Sequence, residues 1–81
     1  MTRAYLAFTD TGLALARRLA DALPGSVDRC GNGGVSLAGW TALQFTQSDA
    51  LVFVGAVGIA VRAIAPHCRS KASDPAVVAL D

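Results

Sequence analysis

The sequence predicts an α/β domain: a small open, mainly parallel sheet of about four strands with flanking helices. Short apolar runs of strand length alternate with segments of helical periodicity. One of these runs, Ala-Leu-Val-Phe-Val at 50–54, carries no polar residue, as a strand does when both of its faces are covered. It runs straight into a glycine turn, Gly55-Ala56-Val57-Gly58, and then into a helical pattern. Strand, turn and helix in alternation require right-handed crossovers, which make the strands parallel in a Rossmann-like three-layer α/β/α arrangement.

Residues 3–8 form the first predicted strand. Thr9, Asp10, Thr11 and Gly12 follow it and supply an oxygen to cap the next helix. In that helix Leu15, Leu19 and Leu23 recur every four residues beside Ala16 and Ala20, while Arg17, Arg18 and Asp21 fall elsewhere. Pro24-Gly25 ends it. Residues 27–29 make a short second strand, and Gly31, Asn32, Gly33 and Gly34 a turn. Residues 37–46 read as a helix with Trp40 and Leu43 as inward bulk. The third strand is 50–54, a helix spans about 59–68, and 75–80 is the last strand, entered through Asp74-Pro75.

With 81 residues the chain holds one small domain, near the size at which a single core gives modest stability. Net charge is +1, so no basic footprint points to nucleic acid. The longest apolar stretch, 50–61, contains two glycines and stops at Arg62. It falls short of the roughly 20 residues a membrane-spanning helix needs. No secretory signal pattern opens the chain, so a cytoplasmic location is expected. Cys30 and Cys68 are then expected as free thiols.

In an open parallel sheet, ligands bind beyond the carboxyl ends of the strands. The segments expected there are Thr9 to Gly12, Gly55 to Gly58, and Asp81. Gly55 and Gly58 either admit an anionic group to backbone donors at a helix start or simply allow close packing of helix on sheet. Arg62, in or just after the first turn of that helix, is the candidate for a bidentate anion contact. Thr9 and Thr11 either bind a ligand or cap their helix. Asp10 is the best-placed candidate general base. His67 and Cys68, adjacent on a helix, point in different directions and make a poor metal site. No serine lies in a GxSxG turn, so classical nucleophilic hydrolysis is unsupported. Lys71 and Asp74 precede a strand and belong at the opposite edge, as turn or interface residues.

The run FVGAVGIAVRAIAP (53–66), Lys71, DPAVV (74–78) and Asp81 resembles the N-terminal domain of CbiG, the cobalamin-biosynthesis G protein family. The opening AYLAFTDTG (4–12) and the entry Ser48-Asp49-Ala50 extend the resemblance over nearly the whole chain. The resemblance implies part of a cobalt-precorrin-5A hydrolase of the anaerobic cobalamin pathway. Such an enzyme opens the δ-lactone of a cobalt corrinoid and releases acetaldehyde to leave cobalt-precorrin-5B. It further implies a substrate rich in carboxylates, which fits backbone N–H groups and Arg62 among the binding candidates placed at that edge, Thr9, Thr11, Gly12, Gly55, Ala56, Gly58 and Arg62, and it implies no protein-held cofactor or metal, cobalt arriving inside the substrate. The family continues past DPAVV with a Gly-His-x-Gly-Gly-Ala-Asn segment and then middle and C-terminal regions. The 81 residues are therefore expected to be an N-terminal piece, inactive alone, with those regions as partners. Two alternatives are a dinucleotide-binding half-domain, against which the glycines read GxxG rather than GxGxxG, and a non-catalytic interaction module that docks through an open strand.

Overall fold

Why each strand lies where it does follows from how its two faces are covered. The computed structural model describes residues 1–31, 33–55, 57–70 and 73–80. In chain order the elements are β1 (Arg3–Ala7), α1 (Asp10–Ala22), β2 (Ser26–Arg29), α2 (Leu37–Gln47), β3 (Ala50–Val54), α3 (Val57–Ile64), a 3₁₀ turn (Ala65–His67) and β4 (Ala76–Leu80). The sheet order is β2-β1-β3-β4, and all three pairings are parallel.

The two centre strands alternate between two cores. Ala4, Leu6, Leu51 and Phe53 point to one face, where Trp40 of α2 and Ala60 of α3 cover them. Tyr5, Ala7, Val52 and Val54 point to the other, where Ala16 of α1 packs. Every residue of β3 is buried, as its uninterrupted apolar run requires. The Trp40 ring meets Phe53 edge-on, with centroids 5.4 Å apart, and its Nε1 donates to Asp28 Oδ2 at 3.2 Å.

The structure corrects several sequence expectations. Leu43 is exposed, and inward bulk from α2 comes from Trp40 and the fully buried Thr41. The Leu15, Leu19 and Leu23 stripe is not what anchors α1. Ala16 is buried, with Leu13, Leu19 and Ala20 packed around it, because only small residues let a helix axis come close to a sheet. Leu15 and Leu23 stay exposed. The third helix starts at Val57, earlier than 59, and its α-helical part ends at Ile64. Pro66, without an N–H, turns the last residues into a 3₁₀ segment. Both cysteines are free, as expected.

The Thr41 hydroxyl finds no hydrogen-bond partner among the described residues. Substituting Thr41→Val keeps the β-branched shape and removes that buried polar atom. It is expected to raise the urea midpoint by the equivalent of about 1 kcal/mol; an unchanged or lower midpoint would show that the hydroxyl is satisfied in solution.

At the amino edge Asp49 ties the chain start to β3. Its Oδ2 accepts from the Thr2 backbone N–H at 2.7 Å and from the Thr2 hydroxyl at 3.2 Å. The Thr2 N–H first, then the Thr2 hydroxyl, hold the Asp49 carboxyl below the ordinary value of 3.8. A lowered folded-state pKa gives stability that is present above the unfolded value and is lost as pH falls through the folded one. The stability gap between the wild-type chain and Asp49→Asn is thus expected to be open at pH 6 and to narrow below about pH 4, read as urea midpoints at pH 6 and pH 3.

Candidate functional site

The strand order places the carboxyl ends of β1 and β3 side by side, with α1 on one face of the sheet and α2 and α3 on the other. Loops leaving adjacent strands toward opposite faces part above them, and the crevice they leave is where open α/β sheets bind ligands. A hollow of about 240 Å³ lies there, lined by Thr9, Thr11, Gly12 and Leu15 after β1, by Val54 and Gly55 at the end of β3, and by Leu80 at the end of β4.

Each wall follows from local sequence. Thr9 is the cap of α1: its Oγ1 accepts from the Gly12 N–H at 3.0 Å, and its carbonyl accepts from the Leu13 N–H at 2.9 Å. Gly12 lies close under the carboxyl end of β3, where an added Cβ would stand 3.2 Å from both the Val54 carbonyl oxygen and Thr9 Oγ1. Gly55 donates its N–H to the Leu80 carbonyl at 2.7 Å and fastens β3 to β4 at this edge. Asp10, exposed, is held through Oδ1 by Arg29 Nε at 2.9 Å. It is not among the residues that line the hollow.

The cap makes a further prediction. Thr9→Ala removes the acceptor for the Gly12 N–H and is expected to cost about 1 kcal/mol of stability in a denaturant titration; a loss within error would free the Thr9 hydroxyl for ligand contact alone.

Of the residues expected at the site, Thr9, Thr11, Gly12 and Gly55 come together. Ala56 and Asp81 lie outside the described residues, as does Lys71. Gly58 is exposed within α3. Arg62 is the sixth residue of α3, beyond its first turn, because the helix begins at Val57. Its Nε donates to the Gly58 carbonyl at 3.4 Å, and it borders a separate apolar groove of about 440 Å³ between α2 and α3, beside Leu37, Ile59, Pro66 and His67. His67 stacks at a tilt on Phe45, with centroids 5.7 Å apart. Asp74 accepts from the backbone N–H groups of Arg69 and Ser70 at 2.8 and 3.1 Å, which is the work of a turn residue. Among the described residues no three His, Cys or Asp side chains gather as metal ligands, and no helix is long and apolar enough to cross a membrane.

Sequence reading missed Leu15 and Leu80 as lining residues. The signal for Leu80 was its place as the last strand residue, which the register sets opposite Val54. Leu15 was detectable as the position one turn along α1 from Gly12.

Comparison with known proteins bears on the family and the fold. Residues 39–81 match the family described as cobalamin synthesis G N-terminal. The chain is 45% identical, over 86 aligned positions, to the cobalt-precorrin-5A hydrolase of Salmonella typhimurium, an alignment that covers 96% of this chain and 24% of that protein. In fold it is similar to the crystal structure of a cobalamin biosynthesis protein G homologue from Sulfolobus solfataricus, with a TM-score of 0.78 at 22% identity, over 99% of this chain and 25% of that one. The chain thus spans about a quarter of the length of each. The comparisons do not favour a dinucleotide half-domain or a stand-alone interaction module. The parallel α/β domain described here belongs to the cobalamin synthesis G N-terminal family, and its place is in cobalamin biosynthesis.

Proposed function

We propose that these 81 residues form the N-terminal domain of a cobalt-precorrin-5A hydrolase and act on the cobalt corrinoid only together with the middle and C-terminal regions of that enzyme. The observation that carries this reading is the 45% identity to the Salmonella hydrolase over 96% of the chain. Opening a lactone with water requires a positioned substrate, a base and support for the developing oxyanion. The hollow at the ends of β1 and β3 contributes positioning: Thr9 and Thr11 offer hydroxyl groups, and Gly12 and Gly55, whose N–H groups are already bonded, leave room beside them at a scale that suits one peripheral carboxylate or lactone edge. Arg62, at the groove between α2 and α3, supplies a cation for a second substrate carboxylate. The base is supplied from outside the 81 residues, since Asp10, the candidate within them, is not among the residues that line the hollow. Cobalt comes with the substrate, no cofactor is held by this domain, and a reducing cytoplasm keeps its two thiols free.

The test is to splice the chain into the Salmonella hydrolase in place of its matched quarter and to supply cobalt-precorrin-5A. Acetaldehyde release by the spliced protein and none by the isolated chain is the expected result. Release by the isolated chain would overturn the division of labour, and a folded but inactive spliced protein would overturn the assignment. Arg62→Ala in the spliced protein is expected to weaken substrate binding by about tenfold, the value of one charged hydrogen bond; unchanged affinity would remove Arg62 from the site.

A further inference from the structure

On the α1 side of the sheet the last strand is left exposed at Val78. Helix α1 covers β1, β2 and the near side of β3, and beside it the exposed face of β4 forms an apolar groove with the flank of β3. Val52 and Val78 make its floor, Leu19 and Leu23 of α1 one wall, and Leu80 its upper end. Arg3, at its foot, is the one charged residue among those that line it. Val78 is 45% exposed and Leu23 51%, large values for apolar side chains in a parallel sheet, where both faces are ordinarily covered by helices. The stripe Leu15, Leu19 and Leu23, of which only Leu19 is packed on the core, runs along the flank of α1 that borders the ends of β3 and β4.

The dimensions fit one helix. Strands lie about 4.8 Å apart and a helix with its side chains is about 10 Å across, so a single helix seated on the exposed β4 would reach to Val52 at the edge of β3. Strands of five residues run about 17 Å, matched by a helix of about 11 residues at 1.5 Å per residue. The upper end of the groove opens at Leu80, which also lines the hollow at the carboxyl edge.

We infer that an amphipathic helix from the remaining three-quarters of the hydrolase polypeptide lies in this groove, its apolar stripe on Val52, Val78 and Leu23, with one end delivered to the hollow at the ends of β1 and β3. The inference rests on the reading that the domain works as part of a longer hydrolase. That length is the reason for this occupant: both relatives carry about three times as much further polypeptide as the part matched here. A segment of the same chain competes at a millimolar effective concentration, which a second copy of the domain does not reach. The surface is apolar, which suits a permanent intramolecular contact. Docking there would put residues of the remaining polypeptide at the mouth of the candidate site, where the base that this domain lacks is needed.

The experiment places a thiol at Val78→Cys in the isolated chain and in the spliced protein, and follows iodoacetamide modification of that position by peptide mass spectrometry. Modification at least tenfold slower in the spliced protein, and independent of protein concentration, is expected. Equal rates would overturn the inference. So would protection that fades on dilution of either protein, which would identify a second copy as the occupant. Leu23→Cys, at the exposed end of α1, gives the same readout if Val78→Cys does not fold. Acetaldehyde release separates the two readings. A spliced protein that hydrolyses cobalt-precorrin-5A with Val78→Cys fully reactive refutes the groove and keeps the hydrolase. Protection without hydrolysis, by the spliced protein with Val78 unaltered, refutes the hydrolase and keeps the groove.

Discussion

Phe53→Ala is expected to remove about 3–5 kcal/mol of stability and to leave much of the chain unfolded at ambient temperature. Phe53 is fully buried in the centre strand β3 and takes the edge of the Trp40 ring. Its loss opens a cavity that the strand cannot collapse into, because β3 is paired on both sides, to β1 and to β4. It also removes the aromatic contact that holds α2 on the sheet. A small domain has little stability beyond that amount. At about 4–8 °C per kcal/mol for a domain of this size, the thermal midpoint should fall by well over 10 °C. A loss below about 1 kcal/mol in urea would show that β3 is not the centre of the core.

The second large effect is a difference in sign between two glycines that the sequence presents as a pair. At Gly55 an added Cβ would overlap the Phe8 ring: it would press on Cδ2 and stand 3.1 Å from Cε2 and 3.2 Å from Cγ. Phe8 is itself packed against the core beneath α2 and α3, so its ring does not swing away freely. Gly55→Ala is expected to cost about 1–3 kcal/mol, the range for overpacking. At Gly58 the nearest atom to an added Cβ is Arg62 Nη2 at 4.0 Å, the far end of a flexible side chain. There Gly58→Ala, within α3, is expected to stabilise by about 0.5 kcal/mol by restricting the unfolded chain and favouring the helix. Paired urea titrations check both. Equal effects would mean that the Phe8 ring is not held over Gly55, and the turn would then be free to serve ligand binding alone.

The contrast also shows what was legible beforehand. GAVG announced a break between strand and helix: β3 ends at Val54 and α3 starts at Val57, so Gly58 falls inside the helix and not in a turn. Whether each glycine serves a ligand, a packing contact or neither depends on Phe8, 47 positions earlier, and no local pattern reports that. Thr9 is similar: the sequence left capping and ligand contact both open, and the bond from the Gly12 N–H shows the cap. Arg62 shows the cost of a boundary two residues off. With α3 starting at Val57 rather than near Ile59, its side chain belongs to the groove between α2 and α3 and not to the hollow at the strand ends.

By itself the sequence determined the elements, their parallel sense, the buried centre strand, the two free thiols and the family. Each of these depends on short-range chemistry: side-chain period, β-branching, a missing proline N–H, or a motif read along one run of residues. Tertiary structure alone decided the order β2-β1-β3-β4, which sets the switch in crossover direction between β1 and β3 and so gathers Thr9, Thr11, Gly12 and Gly55. It also decided that Ala16, with Leu13, Leu19 and Ala20 around it, seats α1, and that β4 stays exposed at Val78 on that side of the sheet. Strand order and helix placement minimise exposed apolar surface over the whole molecule, and that sum runs over residues far apart in the chain.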